Sequence, residues 1–184
     1  MSIILKNNEI TLKESLATIQ NVNSQSCNLI LFNHIFTFFI TENNFKQFWN
    51  IYKDIRIKEY ENVELLKELY FDQLIYMSDK IEACTLLEQM KMLVNIPFSK
   101  LLIVKYINFL ESTEKFISAS AEYEKLISYY QSDVDVWIDY VLFAKKYYTH
   151  FDSNFIDKIY TKAIKILSPE HGNLFLSKYT LIHL

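Results

Sequence analysis

Residues 136–144 read Val-Trp-Ile-Asp-Tyr-Val-Leu-Phe-Ala, and this stretch decides how the rest of the chain is interpreted. Trp137, Tyr140, Val141 and Ala144 follow the spacing i, i+3, i+4 and i+7, which places apolar side chains on one face of an α-helix. Asp133 lies just before them, where the positive end of a helix dipole favours a carboxylate. The stretch therefore predicts an amphipathic helix that begins near Asp133.

The composition of the chain points to the same kind of structure throughout. The 184 residues include one Gly and two Pro. All-β folds and glycine-rich nucleotide-binding folds need more glycines than this in their turns and loops, so both are excluded. The apolar fraction of 51% excludes a disordered chain. We expect an all-α protein of about nine or ten helices joined by short polar segments, with the single Gly172 closing the helix before it.

A period of two helices recurs along the chain. The aligned positions of successive second helices, spaced by 35, 36 and 37 residues, are Tyr52, Leu87, Tyr123 and Tyr160. The first helices keep a similar period, because Tyr106 and Tyr140 are 34 residues apart and Tyr140 and Tyr179 are 39 apart. A two-helix period of this length is typical of an α-solenoid, in which each helix pair buries its apolar face against its neighbours.

The alternative is an ordinary helical bundle in which the aromatic side chains simply occupy core positions. On the solenoid interpretation, residues 1–184 form a single α-helical repeat domain, with clear repeats over 97–184 and degenerate helical pairs over 1–95. The predicted repeat core consists of Tyr106, Phe109, Tyr123, Trp137, Tyr140, Phe143, Tyr160 and Ala163.

The first-helix pattern resembles that of HAT (half-a-TPR) repeats, Trp-x2-Tyr-x2-Phe-Glu. Trp137, Tyr140 and Phe143 match three of its positions, with Ala144 in place of Glu. The segment Ile159-Tyr160-Thr161-Lys162-Ala163-Ile164 is similar to the second-helix pattern, and Glu122-Tyr123-Glu124-Lys125-Leu126-Ile127 is similar too. The resemblance implies a right-handed α-solenoid of about four to five antiparallel helix pairs.

HAT-repeat proteins are non-catalytic scaffolds in RNA-processing machines. The resemblance is greatest to the carboxy-terminal half of the HAT subunit of the nucleolar small-subunit processome. It implies a nucleolar scaffold for pre-ribosomal RNA processing, with other protein subunits of a ribonucleoprotein as partners. The alternatives are a HAT scaffold in pre-mRNA splicing or 3′-end cleavage, a directly RNA-binding helical-repeat module, and a TPR-like adaptor outside RNA biology.

The sequence contains no recognisable catalytic, cofactor-binding or metal-binding motif. The four histidines lie far apart, without the i, i+4 spacing of a zinc site. Cys27 and Cys84 are 57 residues apart and form no CxxC motif, so we expect two buried apolar thiols in a reducing compartment. The most apolar run, residues 29–40, is too short to cross a membrane. We therefore expect neither an enzyme nor a membrane protein.

Positive charge is concentrated near the carboxy terminus. Residues 1–139 contain 13 basic and 19 acidic side chains, whereas residues 140–184 contain six and three. The candidate surface for a weak RNA contact or an acidic partner consists of Lys145, Lys146, Lys158, Lys162, Lys165 and Lys178. The alternative is an ordinary solvated face.

The last segment, residues 172–184, is predicted to be a further first helix, with Leu176, Tyr179 and Ile182 at the signature positions. Without a second helix to cover it, this helix exposes apolar side chains on one side. We expect it to dock on another protein of the complex or on a second copy of this chain. The alternative is a helix that lies flat on the preceding pair and covers its own apolar side.

Overall fold

The computed structural model describes residues 60–95 and 98–183, and the regular structure within these residues is helical. The seven α-helices are α1 (Tyr60–Tyr76), α2 (Ala83–Asn95), α3 (Lys100–Ser112), α4 (Phe116–Tyr129), α5 (Val134–Lys146), α6 (Phe155–Ile166) and α7 (Pro169–His183). The all-α prediction is confirmed for this part of the chain. Among these helices, none is both long and apolar enough to cross a membrane. Cys27 and the predicted helical pairs before residue 60 lie outside the described residues.

The chain divides into two compact units, Met1–Ser99 and Lys100–Leu184. In the first unit α1 packs against α2. The buried Tyr70 hydroxyl of α1 donates a hydrogen bond to Gln89 Oε1 of α2 at 3.2 Å. The apolar side chains buried in this unit include Phe71, Leu74, Met90 and Leu93. Cys84, predicted to be buried, is instead an exposed free thiol in the first turn of α2.

Helix α5 is the most enclosed element of the second unit, because it packs against α4, α6 and α7. Its buried side chains are Val134, Val136, Trp137, Ile138, Tyr140, Val141, Phe143 and Ala144. This set is wider than the single apolar face that the sequence predicts for α5. The reason is that three neighbouring helices cover it from different sides.

Polar contacts show that α3 and α5 run in the same direction. At their starts, Lys100 Nζ lies 2.5 Å from Asp133 Oδ2. At their ends, Glu111 Oε2 accepts hydrogen bonds from Lys146 Nζ at 3.3 Å and from the Tyr147 hydroxyl at 3.0 Å. Start therefore meets start and end meets end, which requires parallel helices.

Helices α5 and α7 are related in the same way. Lys178 of α7 forms an ion pair with Asp135 near the start of α5. Lys145 near the end of α5 donates to the Ile182 carbonyl at 2.6 Å, near the end of α7. The two contacts follow the same order along both helices, so α3, α5 and α7 all run in one direction.

The helix ends explain why a chain with so little glycine can fold into short helices. Asp133 caps α5, because its Oδ1 accepts from the Asp135 N–H at 3.1 Å, and the predicted start of this helix is confirmed. Helix α3 ends in a Schellman turn, in which the Lys115 N–H donates to the Leu110 carbonyl at 2.8 Å. Glu114 occupies the left-handed position of that turn with a φ of 57°, where glycine is usual.

The expectation that Gly172 closes a helix is wrong. Helix α6 ends at Ile166, and α7 begins at Pro169. Proline suits the first helical position because its missing N–H would have no partner there. The Ser168 hydroxyl accepts from the His171 N–H at 3.4 Å and caps the helix. Gly172 therefore lies within the first turn of α7 without a positive φ.

Candidate partner-binding surface

The same aromatic contact occurs twice in the second unit. The rings of Tyr123 (α4) and Tyr140 (α5) stack with centroids 5.0 Å apart. The rings of Tyr160 (α6) and Tyr179 (α7) lie 4.9 Å apart. These are the positions that the sequence period makes equivalent, since 37 residues separate the first members and 39 the second. One tyrosine pair thus joins α4 to α5, and an equivalent pair joins α6 to α7.

Tyr140 is the most connected of these side chains. Its hydroxyl lies 2.8 Å from Ser120 Oγ and donates to Glu124 Oε1 at 3.2 Å, so α5 is hydrogen-bonded to two successive turns of α4. Burial raises the pKa of the Tyr140 hydroxyl above its ordinary value, which keeps the hydroxyl neutral. Trp137 Nε1 donates to the Gln131 carbonyl at 2.9 Å. Both large side chains therefore have partners for their polar atoms.

The structure places the predicted core residues as follows. The fully or nearly buried ones are Tyr106, Tyr123, Trp137, Tyr140, Phe143 and Ala163, while Phe109 and Tyr160 are half-buried. In α7 the fully buried side chain is Phe175, and the expected Leu176 is 37% exposed. Phe175 lies four residues before Tyr179, so both share the face that contacts Tyr160.

The six lysines do not form one basic patch. Four are paired with carboxylates: Lys146 with Glu111, Lys158 with Asp152, Lys162 with Glu124, and Lys178 with Asp135. Lys145 donates to the Ile182 carbonyl, and Lys165 is exposed on α6. Most of the carboxylate partners precede residue 140, which is why a charge count over residues 140–184 suggests an excess. Over residues 100–184 the chain has ten basic and ten acidic side chains, so their formal charges cancel.

Sequence reasoning missed an exposed surface on the first helices. On α5 the exposed positions Asp135, Asp139 and Leu142 follow i, i+4 and i+7. Adding the α5-to-α7 offset of 39 residues gives Leu174, Lys178 and Leu181. We call these six residues the first-helix face. Its leucines are 44%, 47% and 71% exposed in the order 142, 174 and 181. Leu142 is the exposed apolar side chain of α5, whose other apolar side chains are buried, whereas α7 also exposes Leu176. The sequence signal that could have found it is an apolar residue at the same aligned position of α5 and α7, Leu142 and Leu181.

The carboxylates of Asp133, Asp135 and Asp139, at the start of α5 and along it, differ in whether a lysine is paired with them. Lys100 holds the pKa of Asp133 below its ordinary value through a direct hydrogen bond, and Lys178 pairs with Asp135. Asp139 forms no ion pair with the described residues. Burial, together with the like charges of Asp135 and Asp133, raises its pKa, while Lys100 and Lys178 oppose this from a greater distance. Asp139 is therefore the carboxylate on this face that a further cation would stabilise most.

A shallow open hollow of about 520 Å³ lies beside the turns that follow α4 and α6. Its lining is mostly neutral and polar: Ser128, Tyr129, Gln131, Ser132, Ile166, Ser168 and His171. In the described part of the chain, no three His, Cys, Asp or Glu side chains are close enough together to hold a metal ion. The hollow brings together no pair of groups with a recognisable nucleophile–base arrangement.

Within residues 60–95 and 98–183, the first-helix face is the surface with the clearest capacity to bind another molecule, since it combines exposed leucines with a carboxylate that has no ion-pair partner there. Comparison with known proteins identifies no relative of the chain: no family model, no curated protein and no solved structure matches it.

Proposed function

We propose that the second unit is a helical-repeat module of the HAT and TPR type. Helices α3 and α4 form one antiparallel pair, α5 and α6 form the next, and α7 is the first helix of a further pair. The parallel course of α3, α5 and α7 supports this arrangement. So does the contact of Phe116 at the start of α4 with Tyr147 just after α5, at 4.2 Å, because it requires α4 to run opposite to α5.

The sequence separation of the cross-helix contacts supports the same arrangement. The polar contacts between successive first helices, or between successive second helices, join residues that are 33, 35, 36, 37, 38 and 43 positions apart. The sequence period itself is 34 to 39 residues. Contacts between residues about one period apart are expected when each repeat packs against its neighbours in a stack.

The module acts as a non-catalytic scaffold that holds other proteins. The observation that carries this proposal is the first-helix face, where Leu142, Leu174 and Leu181 remain exposed on two neighbouring helices. Exposed apolar side chains repeated at one position favour a protein partner. Direct RNA binding is less favoured, because most of the candidate lysines are already paired within the chain and binding would have to replace those pairs.

A ribonucleoprotein is the proposed setting, and the support for it is the resemblance of Trp137, Tyr140 and Phe143 to the HAT pattern. The module would then hold protein subunits of the nucleolar particle that processes small-subunit pre-ribosomal RNA. A HAT scaffold in splicing or 3′-end cleavage is the alternative within the same class.

Affinity purification of the tagged full chain from its own cells tests the scaffold function. We expect the parent to retain protein partners and the double variant Leu142→Asp/Leu181→Asp to lose them. Ile164→Asp on α6 is the matched control, because Ile164 is 39% exposed but lies outside the first-helix face. Equal recovery of partners by the double variant and the control would refute the scaffold function of this face. Pre-ribosomal components among the partners would support the nucleolar setting, and splicing or cleavage factors would support the alternative.

A salt titration of RNA binding distinguishes a scaffold from an RNA-binding module. Direct binding through several lysines gives an affinity that falls steeply as salt increases. We expect weak binding and a shallow salt dependence. Micromolar or tighter affinity that is lost in Lys158→Gln/Lys165→Gln would show that α6 contacts RNA directly.

A further inference from the structure

Asp139 occupies a distinct position in the charge pattern of the first-helix face. Its two nearest acidic neighbours, Asp133 and Asp135, are each paired with a lysine, whereas Asp139 has no such partner among the described residues. It lies one turn after Asp135 and three residues before Leu142, on the exposed stripe of α5. A bound cation at this point would therefore meet a carboxylate that needs no intrachain pair to be broken first.

The environment of Asp139 makes its negative charge costly in the unbound protein. Partial burial and the neighbouring carboxylates raise its pKa, so the ionised form is less stable here than in water. An incoming ammonium or guanidinium group would reverse this, because a charge pair in a partly desolvated site is stronger than one in bulk solvent.

Apolar side chains flank the carboxylate in a fixed register. Leu142 follows Asp139 by one turn on α5, and Leu181 holds the equivalent position on α7, 39 residues later. Leu174 is equivalent to Asp135 in the same way. A ligand that reaches Asp139 therefore has leucines on both sides of its cation, and a purely polar cation would leave them uncovered. The complementary ligand has a basic group with apolar groups beside it.

We propose that the first-helix face binds a segment of a partner protein in which a Lys or Arg stands next to apolar side chains. The basic group pairs with Asp139, and the apolar side chains cover Leu142 and Leu181. This inference rests on the proposed scaffold function and adds the chemistry of the partner. The inferred partner is basic at the point of contact, whereas the lysine-rich sequence near the carboxy terminus would predict an acidic partner.

Selection from a random linear peptide library on the immobilised full chain tests the inference. We expect the enriched peptides to combine at least one Lys or Arg with adjacent apolar residues. Asp139→Asn should weaken the binding of such a peptide by about fivefold to tenfold, which corresponds to about 1–1.4 kcal/mol. Asp157→Asn is the matched control, since Asp157 is an exposed carboxylate on α6, and it should leave the affinity unchanged.

Charge reversal provides the decisive comparison. The same selection on Asp139→Lys should enrich peptides with Asp or Glu beside apolar residues. Enrichment of acidic peptides by the parent, absence of any enriched peptide, or equal affinity of the parent and Asp139→Asn would each overturn the inference. If cellular partners are lost in Leu142→Asp/Leu181→Asp but retained in Asp139→Lys, the scaffold function stands and the basic-partner inference fails. If the double variant also retains them, the scaffold proposal fails.

Discussion

Replacing Trp137 with Ala should destabilise the second unit more than any single change on its surface. The Trp137 side chain is fully buried in α5, the helix that α4, α6 and α7 enclose. A buried Trp removes about 200–250 Å² from water, and at about 25 cal/mol per Å² this contributes about 5–6 kcal/mol. Burial already present in the unfolded chain and the remaining Ala methyl group lower the net loss to about 3–5 kcal/mol.

Loss of the hydrogen bond from Trp137 Nε1 adds little to the free-energy cost of Trp137→Ala. Its acceptor, the carbonyl of Gln131, belongs to an exposed residue, so water can replace the indole N–H. Trp137→Phe should therefore cost only about 1–2 kcal/mol, because it keeps most of the packing. For a unit of this size, each kcal/mol lowers the melting temperature by about 4–8 °C, so Trp137→Ala should lower it by at least about 12 °C.

Hydrogen–deuterium exchange of peptides covering residues 134–146 measures the effect where it arises. We expect Trp137→Ala to remove most of the protection of α5, with a corresponding fall in the urea midpoint followed by circular dichroism. Tyr148→Ala is the matched control, because Tyr148 is an aromatic residue that is 68% exposed. If Trp137→Ala and Tyr148→Ala exchange and unfold alike, α5 is not the packed centre of this unit.

Five further substitutions test other parts of the structure. Tyr140→Phe should cost about 1 kcal/mol in urea unfolding, because it leaves two hydrogen-bonding groups of α4 without their partner. Asp133→Ala should cost about 1 kcal/mol through loss of the α5 cap, with the difference from the parent disappearing at acid pH, since the lowered pKa of Asp133 gives stability that is lost as pH falls. Asp139→Asn should raise the melting temperature at pH 7 and not at pH 3, because a carboxyl with a raised pKa destabilises the fold only when ionised. Gly172→Ala should add about 0.5–1 kcal/mol, since its Cβ would meet nothing within 4 Å in a helix, and Glu114→Gly should add a similar amount by relieving a positive φ; thermal melts that show no gain would contradict the assigned conformation at either site.

The sequence supported the fold class and the positions of the main helices because both depend on local rules. The spacing of Trp137, Tyr140 and Val141 requires only the helical period, and Asp133 caps its helix through an N–H two residues away. The extent of burial on α5 depends on three other helices, which no local pattern reveals. The same holds for Cys84, whose apolar character predicts burial although its position in the first turn of α2 leaves it exposed.

The candidate site was harder to predict because its ion pairs join helices that are far apart in sequence. The lysines on α6 and α7 follow a regular spacing, which suggests a basic surface. Their partners, Glu124 and Asp135, lie 38 and 43 residues earlier, and only the stacking of helices brings them close. Conversely, Leu142 and Leu181 resemble core residues in sequence, and their exposure follows from the arrangement of α5 and α7.

The similar separation of the cross-helix contacts has a consequence for the way the second unit folds. Each contact between successive helices of the same kind closes a loop of similar length, so its entropic cost is about 3 kcal/mol at every step. None of these contacts requires the first and last helices of the second unit to come together. During synthesis, α3 can engage α5 once Tyr147 has left the ribosome, before α7 has emerged from it. Assembly can then proceed helix by helix in the order of translation.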